Sequence, residues 1–143
     1  MTEKPNMNQL MNGVIPYLGI ERAGEAIAFY EKAFGAIRLG DVMRDEQGQI
    51  MNASLAINDG VFMLMDYMTD LGDPPAKTGQ NFTLTLVVDD GDMWWSRAVD
   101  AGCEVTMPFE KQFWGDRYGR LRDPFGLDWA VDEPSAENRA AAG

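Results

Sequence analysis

Residues 113–129 read FWGDRYGRLRDPFGLDW, and this stretch decides the predicted fold of the chain. An extended run of aromatic and branched residues leads into the tetrapeptide DPFG (123–126), and a second extended run continues to Val131. Proline presets the φ angle that a tight turn needs, and glycine supplies the positive φ that ends it. The stretch therefore predicts a strand, a tight turn and a final strand.

Two motifs in this stretch, WGDRYG (114–119) and DPFG (123–126) followed by Trp129, resemble the end of a domain in the glyoxalase/bleomycin resistance (vicinal oxygen chelate) superfamily. The resemblance is closest to the PhnB-like branch. Upstream, residues 28–36 (AFYEKAFGA) resemble the first helix of that family and its exit, so the resemblance extends over nearly the whole chain. It implies an α+β fold of two tandem βαβββ modules whose curved mixed sheets form a cleft.

The sequence also shows an internal repeat. The predicted strand starts Val14 and Phe82 are 68 residues apart, and the helix-ending glycines Gly35 and Gly102 are 67 apart. Two such similar offsets predict a duplicated βαβββ module. The predicted segments are a flexible leader (1–12), a first module (13–66), a linker (67–80), a second module (81–132) and a flexible tail (133–143).

Local patterns predict the elements of each module. Ile27, Tyr30 and Phe34 have the spacing of one helix face, and Gly35 ends that helix. In the second module an aspartate at 89 or 90 is expected to cap a helix. The predicted helices cover 24–34 and about 90–101, and the predicted strands cover 14–20, 36–44, 50–58, 61–66, 81–88, 104–108, 113–122 and 127–132.

Length and charge narrow the classes of function. The chain has 143 residues, a net charge of −11, and 12 basic against 23 acidic residues. This balance argues against a nucleic-acid partner and favours a cationic ligand. The single cysteine, Cys103, cannot form an internal disulfide, and no apolar run is long enough to span a membrane. A cytoplasmic protein without a membrane partner is therefore expected.

Metal chemistry of the resembled family is not expected in this chain. Active members bind a divalent metal through His, Gln and Glu on the first and last strands of the modules, and this chain has no histidine. The resemblance puts the family's second-module histidine at Thr83, its last-strand glutamate at Ala130, and a PhnB-like histidine at Asn52. We predict no family-type metal and no cofactor, although a carboxylate-based Mg- or Ca-like site remains physically allowed.

Two charged residues have alternative predicted roles. Asp66, at the end of the fourth strand, is a weak candidate for a general base if an apolar wall surrounds it; otherwise it is a strand-end carboxylate. Arg117 is a candidate for binding an anionic group of a ligand. Alternatively, Asp116 and Asp123 pair with the arginines of the same arm across the strands.

Aromatic and small polar residues are the remaining ligand-binding candidates. Four tryptophans and ten methionines are typical of surfaces that accept flat or cationic molecules. Trp114, Tyr118 and Trp129 are expected near the cleft, with packing beneath the sheet as the alternative for the tryptophans. Asn52 and Thr83 are expected on small polar sheet faces.

These observations predict a cytoplasmic homodimer that binds a small cationic or aromatic organic molecule in an aromatic, acidic cleft. The dimer is expected from the family resemblance and from sheet edges that need covering. One alternative is a module that sequesters a cationic drug, as bleomycin-resistance relatives do. A second is a divergent isomerase, lyase or dioxygenase that uses Asp66 and an oxygen-ligated metal, and a third is an accessory protein with a vestigial cleft.

Overall fold

A computed structural model describes residues 10–67 and 82–142 of the chain. The chain divides into two compact units, Met1–Ala76 and Lys77–Gly143. Each unit follows the order βαβββ, and the second adds a C-terminal helix. The predicted α+β fold of two βαβββ modules is confirmed. In the described part of the chain, no helix has the length and apolar character needed to cross a membrane.

The first unit is a four-stranded mixed sheet with one helix packed on it. Strand order is β1-β4-β3-β2, in which β1 runs parallel to β4 and the other pairs are antiparallel. Tyr30 of the helix packs edge-on against Phe62 of the sheet, with ring centroids 5.4 Å apart, and both are buried. The elements are β1 (Tyr17–Ile20), α1 (Ala23–Phe34), β2 (Ile37–Arg44), β3 (Ile50–Ile57) and β4 (Gly60–Asp66).

The second unit repeats this topology. Its strand order is β5-β8-β7-β6, with β5 parallel to β8. The elements are β5 (Leu84–Val87), α2 (Gly91–Ala101), β6 (Glu104–Lys111), β7 (Arg117–Arg122), β8 (Asp128–Glu133) and α3 (Ala136–Ala142).

The turn predicted at 123–126 is confirmed between β7 and β8. Gly126 has φ +89°, the left-handed conformation for which glycine is suited. Asp123 is buried, and its Oδ1 accepts hydrogen bonds from the backbone N–H groups of Phe125 and Leu127 at 2.8 and 3.0 Å. The aspartate side chain therefore organises the backbone of the turn that follows it.

Several element bounds differ from the predicted ones. The strand predicted over 113–122 begins only at Arg117, because residues 113–116 form a turn in which the Gly115 N–H donates to the Gln112 carbonyl at 3.0 Å. The segment 133–143 shows no sequence periodicity, yet it contains α3, and the Asp116 carboxylate accepts from the backbone N–H of Ser135 just before this helix. The predicted leader and linker lie outside the described residues except for 10–12 and Tyr67.

Candidate functional site

The two faces of the second sheet have different surroundings. At Gly119 on β7, an added Cβ would lie 2.7 Å from the ring of Trp95 on α2, so this face of the sheet lies against the helix. Side chains alternate along a strand, which puts Tyr118, Arg120 and Arg122 on the opposite face. We call this opposite surface, formed by residues 118, 120 and 122 of β7 with 128, 130 and 132 of β8, the Arg120 face.

A cavity of about 500 Å³ lies on the Arg120 face. Its size is within the range of small-molecule sites. The strand register shows why β6 contributes two consecutive residues to it: Val105 pairs with Leu121 and Met107 with Arg120, so Thr106 is an extra residue in a β-bulge. The lining residues are Thr106, Met107, Arg120, Arg122 and Asp128.

The two arginines in the cavity have different partners. Arg122 donates from Nε to Oδ1 of the buried Asp128 at 2.9 Å and forms an ion pair. Arg120 donates from Nη2 to the hydroxyl of Thr83. No carboxylate of the described residues forms an ion pair with Arg120, so its charge is uncompensated within this part of the chain.

The residues at the family's ligand positions do not fit a family-type metal. Ala130 has no donor atom, and the Thr83 hydroxyl accepts from the Arg120 guanidinium, whose positive charge would repel a metal ion there. Asn52 interacts within the first sheet, where its Oδ1 lies 3.4 Å from the Ser54 hydroxyl. Among residues 10–67 and 82–142, no three Asp, Glu or Cys side chains come together in a way that could hold a metal ion.

Asp66 anchors the first unit. Its Oδ1 accepts from the backbone N–H of Ala23 at the start of α1, and its Oδ2 accepts from Ile50 at the start of β3, both at 2.8 Å. Glu133, 67 residues later, does the same in the second unit by accepting from the N–H of Gly91 at 2.7 Å. Both units thus have a carboxylate that binds the N-terminus of the helix, which supports the strand-end role of Asp66.

Arg117 faces α2 and is engaged there. Its guanidinium binds both carboxylate oxygens of Asp92, at 2.7 and 3.2 Å, and lies 3.5 Å from Glu133. It also lies 4.4 Å from the ring centroid of Phe109. Pairing with Asp116 or Asp123 was one of the two alternatives for Arg117, and in the structure its partner is instead a helix residue 25 positions away.

The three aromatic candidates occupy different surroundings. Trp129 is 2% exposed, pairs in register with Leu121 on the α2 side of the sheet, and donates from Nε1 to Asp123 at 2.8 Å. Trp114 is 41% exposed and packs edge-on against Tyr118 at 5.7 Å. Tyr118 precedes Arg120 by two residues on the same face. Tyr118 therefore lies on the Arg120 face with Trp114 packed against it, whereas Trp129 packs beneath the sheet.

A pair of carboxyl groups that was not predicted from the sequence lies at the far end of this face. Burial raises the pKa of Asp132 to about 6, and the neighbouring Asp116 carboxylate contributes to this rise. The pKa of Asp116 is lowered because it accepts from Asn138 Nδ2 at 2.6 Å and from the Ser135 N–H at 3.0 Å. Asp132 is thus the group that takes the proton of the pair.

Comparison with known proteins finds a matching family and several relatives. The model of the Glyoxalase/Bleomycin resistance protein/Dioxygenase superfamily matches residues 13–131. An uncharacterized protein of Mycobacterium tuberculosis is 39% identical over 127 residues, which cover 85% of this chain and 74% of that protein.

Two solved structures extend the comparison. A gene product of Arabidopsis thaliana is 28% identical with a TM-score of 0.69, covering 87% of this chain and 100% of that one. The PhnB protein of Bacillus cereus is 18% identical with a TM-score of 0.62, covering 85% and 98%, a likeness of fold alone.

Proposed function

This chain belongs to the glyoxalase/bleomycin resistance protein/dioxygenase superfamily, and we propose that it binds a small organic molecule in the cavity on the Arg120 face. The observation that carries the proposal is the cavity itself, about 500 Å³ and lined from three adjacent strands. Its charged and hydroxyl groups supply orienting contacts, and the flexible thioether of Met107 supplies an adaptable apolar one.

We propose that binding at this site uses no transition metal. The support is the donor set: alanine at 130, a threonine hydroxyl at 83 that is already hydrogen-bonded, and a guanidinium beside it. Of positions 83 and 130, only Thr83 offers a side-chain oxygen, which is a weak ligand, and a divalent cation there would lie close to a positive charge.

Sequestration of a cationic drug is the second candidate function. The net charge of −11 favours it, because the field of the whole chain attracts cations. The cavity lining favours it less, since it contains Arg120 and Arg122 against the single carboxylate of Asp128 and no aromatic ring. A general-base enzyme built on Asp66 has weaker support, because both oxygens of that carboxylate accept backbone hydrogen bonds.

A thermal-shift screen of the chelator-treated protein tests the proposal. The panel contains divalent metals, small organic acids and cationic aromatics, and a ligand at 100 times its Kd stabilises the folded state by about 2.7 kcal/mol. We expect organic molecules to raise the midpoint, and Met107→Trp, which fills the cavity, to abolish the shift. The matched control is Met51→Trp, at an exposed position in the first unit. The proposal would be contradicted if only metals raised the unfolding midpoint and Met107→Trp left that effect unchanged.

We also propose a cytoplasmic homodimer. The sheet edges support the dimer, because β2 and β6 each end a sheet in the described residues and uncovered edges promote association. Light scattering coupled to gel filtration should give twice the mass of the chain, and a monomer at micromolar concentration would contradict this.

A further inference from the structure

Strand β7 carries three arginines, and Arg120 differs from the other two in its neighbours across the strands. The cross-strand neighbours are Lys111 and Glu133 for Arg117, Glu104 and Asp128 for Arg122, and Met107 and Ala130 for Arg120. Arg120 is thus the arginine of this strand that has no acidic neighbour in register. In a chain with 23 acidic and 12 basic residues, a half-buried guanidinium that forms no ion pair with a carboxylate of the described residues is unexpected.

The energetic cost of burying a charge bears directly on the role of Arg120. A charge removed from water is costly unless another charge or several hydrogen bonds compensate it. The Arg120 guanidinium has five N–H donors, and the Thr83 hydroxyl accepts from one nitrogen, Nη2. No other hydrogen bond of this guanidinium is seen within residues 10–67 and 82–142, so its remaining donors are open to a group that enters the cavity. The bond to Thr83 also restricts the guanidinium, so less side-chain freedom is lost when a ligand binds.

The charge balance of the cavity also indicates that Arg120 is available to a ligand. Asp128 compensates Arg122 through the 2.9 Å ion pair, which leaves the charge of Arg120 to set the sign of the site. On β8, the residue in register with Arg120 is Ala130, whose side chain offers no acceptor atom. A carboxylate at position 130 would compensate the charge of Arg120. Because alanine has no charge, a ligand can supply the carboxylate instead.

We infer that Arg120 binds a carboxylate group of the ligand, so that the small molecule bound in this cavity is an organic acid. This inference rests on the proposed function, since it names the chemical class that the same cavity accepts. A planar guanidinium matches a carboxylate with two parallel N–H···O bonds, and the apolar body of the acid would lie against Met107.

Isothermal titration with a pair of probes of similar shape and opposite charge tests the inference. Phenylacetate and phenethylammonium share a phenyl ring and differ in the sign of the charged group. We expect phenylacetate to bind more tightly, and Arg120→Met to weaken it roughly 10- to 100-fold, because one charge-assisted contact is lost. Arg38→Met makes the same charge change at an exposed ion pair of the first unit and is expected to leave the affinity within about 2-fold.

A second pair of variants keeps Arg120 in place. Met107→Glu puts a carboxylate directly across from Arg120, where it competes with the ligand, and Met107→Gln is nearly isosteric and uncharged. Phenylacetate should lose about 10-fold or more in affinity with Met107→Glu and less than about 3-fold with Met107→Gln. Equal losses in the two variants would overturn the inference, because the charge would then be irrelevant.

The outcomes separate the inference from the proposed function. If phenethylammonium binds more tightly than phenylacetate and Met107→Glu raises the affinity for phenethylammonium, the cavity binds organic molecules and the carboxylate inference is wrong. If neither probe binds at concentrations up to about 10 mM and no organic molecule of the thermal-shift panel binds, the proposed function fails, and the inference fails with it.

Discussion

Replacing Asp66 by alanine tests whether this residue serves the fold or the chemistry. The carboxylate accepts two backbone hydrogen bonds at 2.8 Å, one from Ala23 at the start of α1 and one from Ile50 at the start of β3. Both donor residues are buried, so water replaces the lost acceptor poorly. Removing the side chain also removes a negative charge from the helix N-terminus.

The expected magnitude follows from these two bonds. A hydrogen bond to a charged partner contributes about 1.5–3 kcal/mol, and a buried N–H left without a partner adds to the loss. Partial access of water to Asp66 reduces the sum, and we expect Asp66→Ala to lower the free energy of unfolding by about 3 kcal/mol. For a chain of this length, that corresponds to a fall in Tm of about 10 °C.

Urea unfolding followed by circular dichroism measures the effect. The control is Asp41→Ala, which removes the same charge from an exposed position on β2 and should change stability by less than about 0.5 kcal/mol. Hydrogen exchange gives a local readout, because the amides of Ala23 and Ile50 should exchange faster in Asp66→Ala. Equal stability of the two variants would refute the structural role and restore Asp66 as a candidate base.

Three further predictions concern the second unit. The folded-state pKa of Asp132, about 6 against an ordinary 3.8, means that its contribution to stability falls as pH rises from about 4 to 6. Thermal unfolding should therefore show Asp132→Asn to be more stable than wild type at pH 7.5 and no more stable at pH 4. The expected gain at pH 7.5 is about 1 kcal/mol, because solvent screens the partly exposed carboxyl. A gain in stability at both pH values would contradict this. Gly119→Ala should destabilise by about 2 kcal/mol, because its Cβ would lie 2.7 Å from the Trp95 ring. At Gly24 in the first unit, an added Cβ would make an ordinary van der Waals contact with Ile50 at 3.8 Å, so Gly24→Ala should stabilise by up to about 1 kcal/mol. Urea unfolding that finds the two variants alike would contradict the close approach at Gly119. Burial raises the pKa of Cys103 to about 12, so a thiol reagent at pH 8 should label it only at the rate of unfolding, and rapid labelling of the folded protein would show that the thiol is accessible.

Local chemistry explains which elements could be predicted from the sequence. The turn after β7 follows from residues within a few positions of one another: an aspartate that binds its own turn, a proline and a glycine with positive φ. The end of α1 is similar, since Gly35 takes φ +65° and the Ala36 N–H donates to the Tyr30 carbonyl. The repeat offset then predicted the same order of elements in the second unit.

The candidate site depended on contacts that the local sequence does not specify. Arg117 was equally suited to a ligand or to a nearby aspartate, and only the placement of α2 brings Asp92 to it. The uncompensated charge of Arg120 follows from strand register, which puts Met107 and Ala130 beside it. The bulge on β6 that sets this register has no glycine to reveal it.

Methyl NMR of the methionine-labelled protein tests the central claim most directly, because it locates a bound molecule whatever its charge. During titration with phenylacetate, phenethylammonium and the organic ligands found in the thermal-shift screen, the methyl signal of Met107 should shift and saturate, whereas that of the exposed Met51 in the first unit should stay in place. A Met107 signal that none of these molecules moves, or saturable shifts confined to Met51, would contradict binding in the cavity on the Arg120 face.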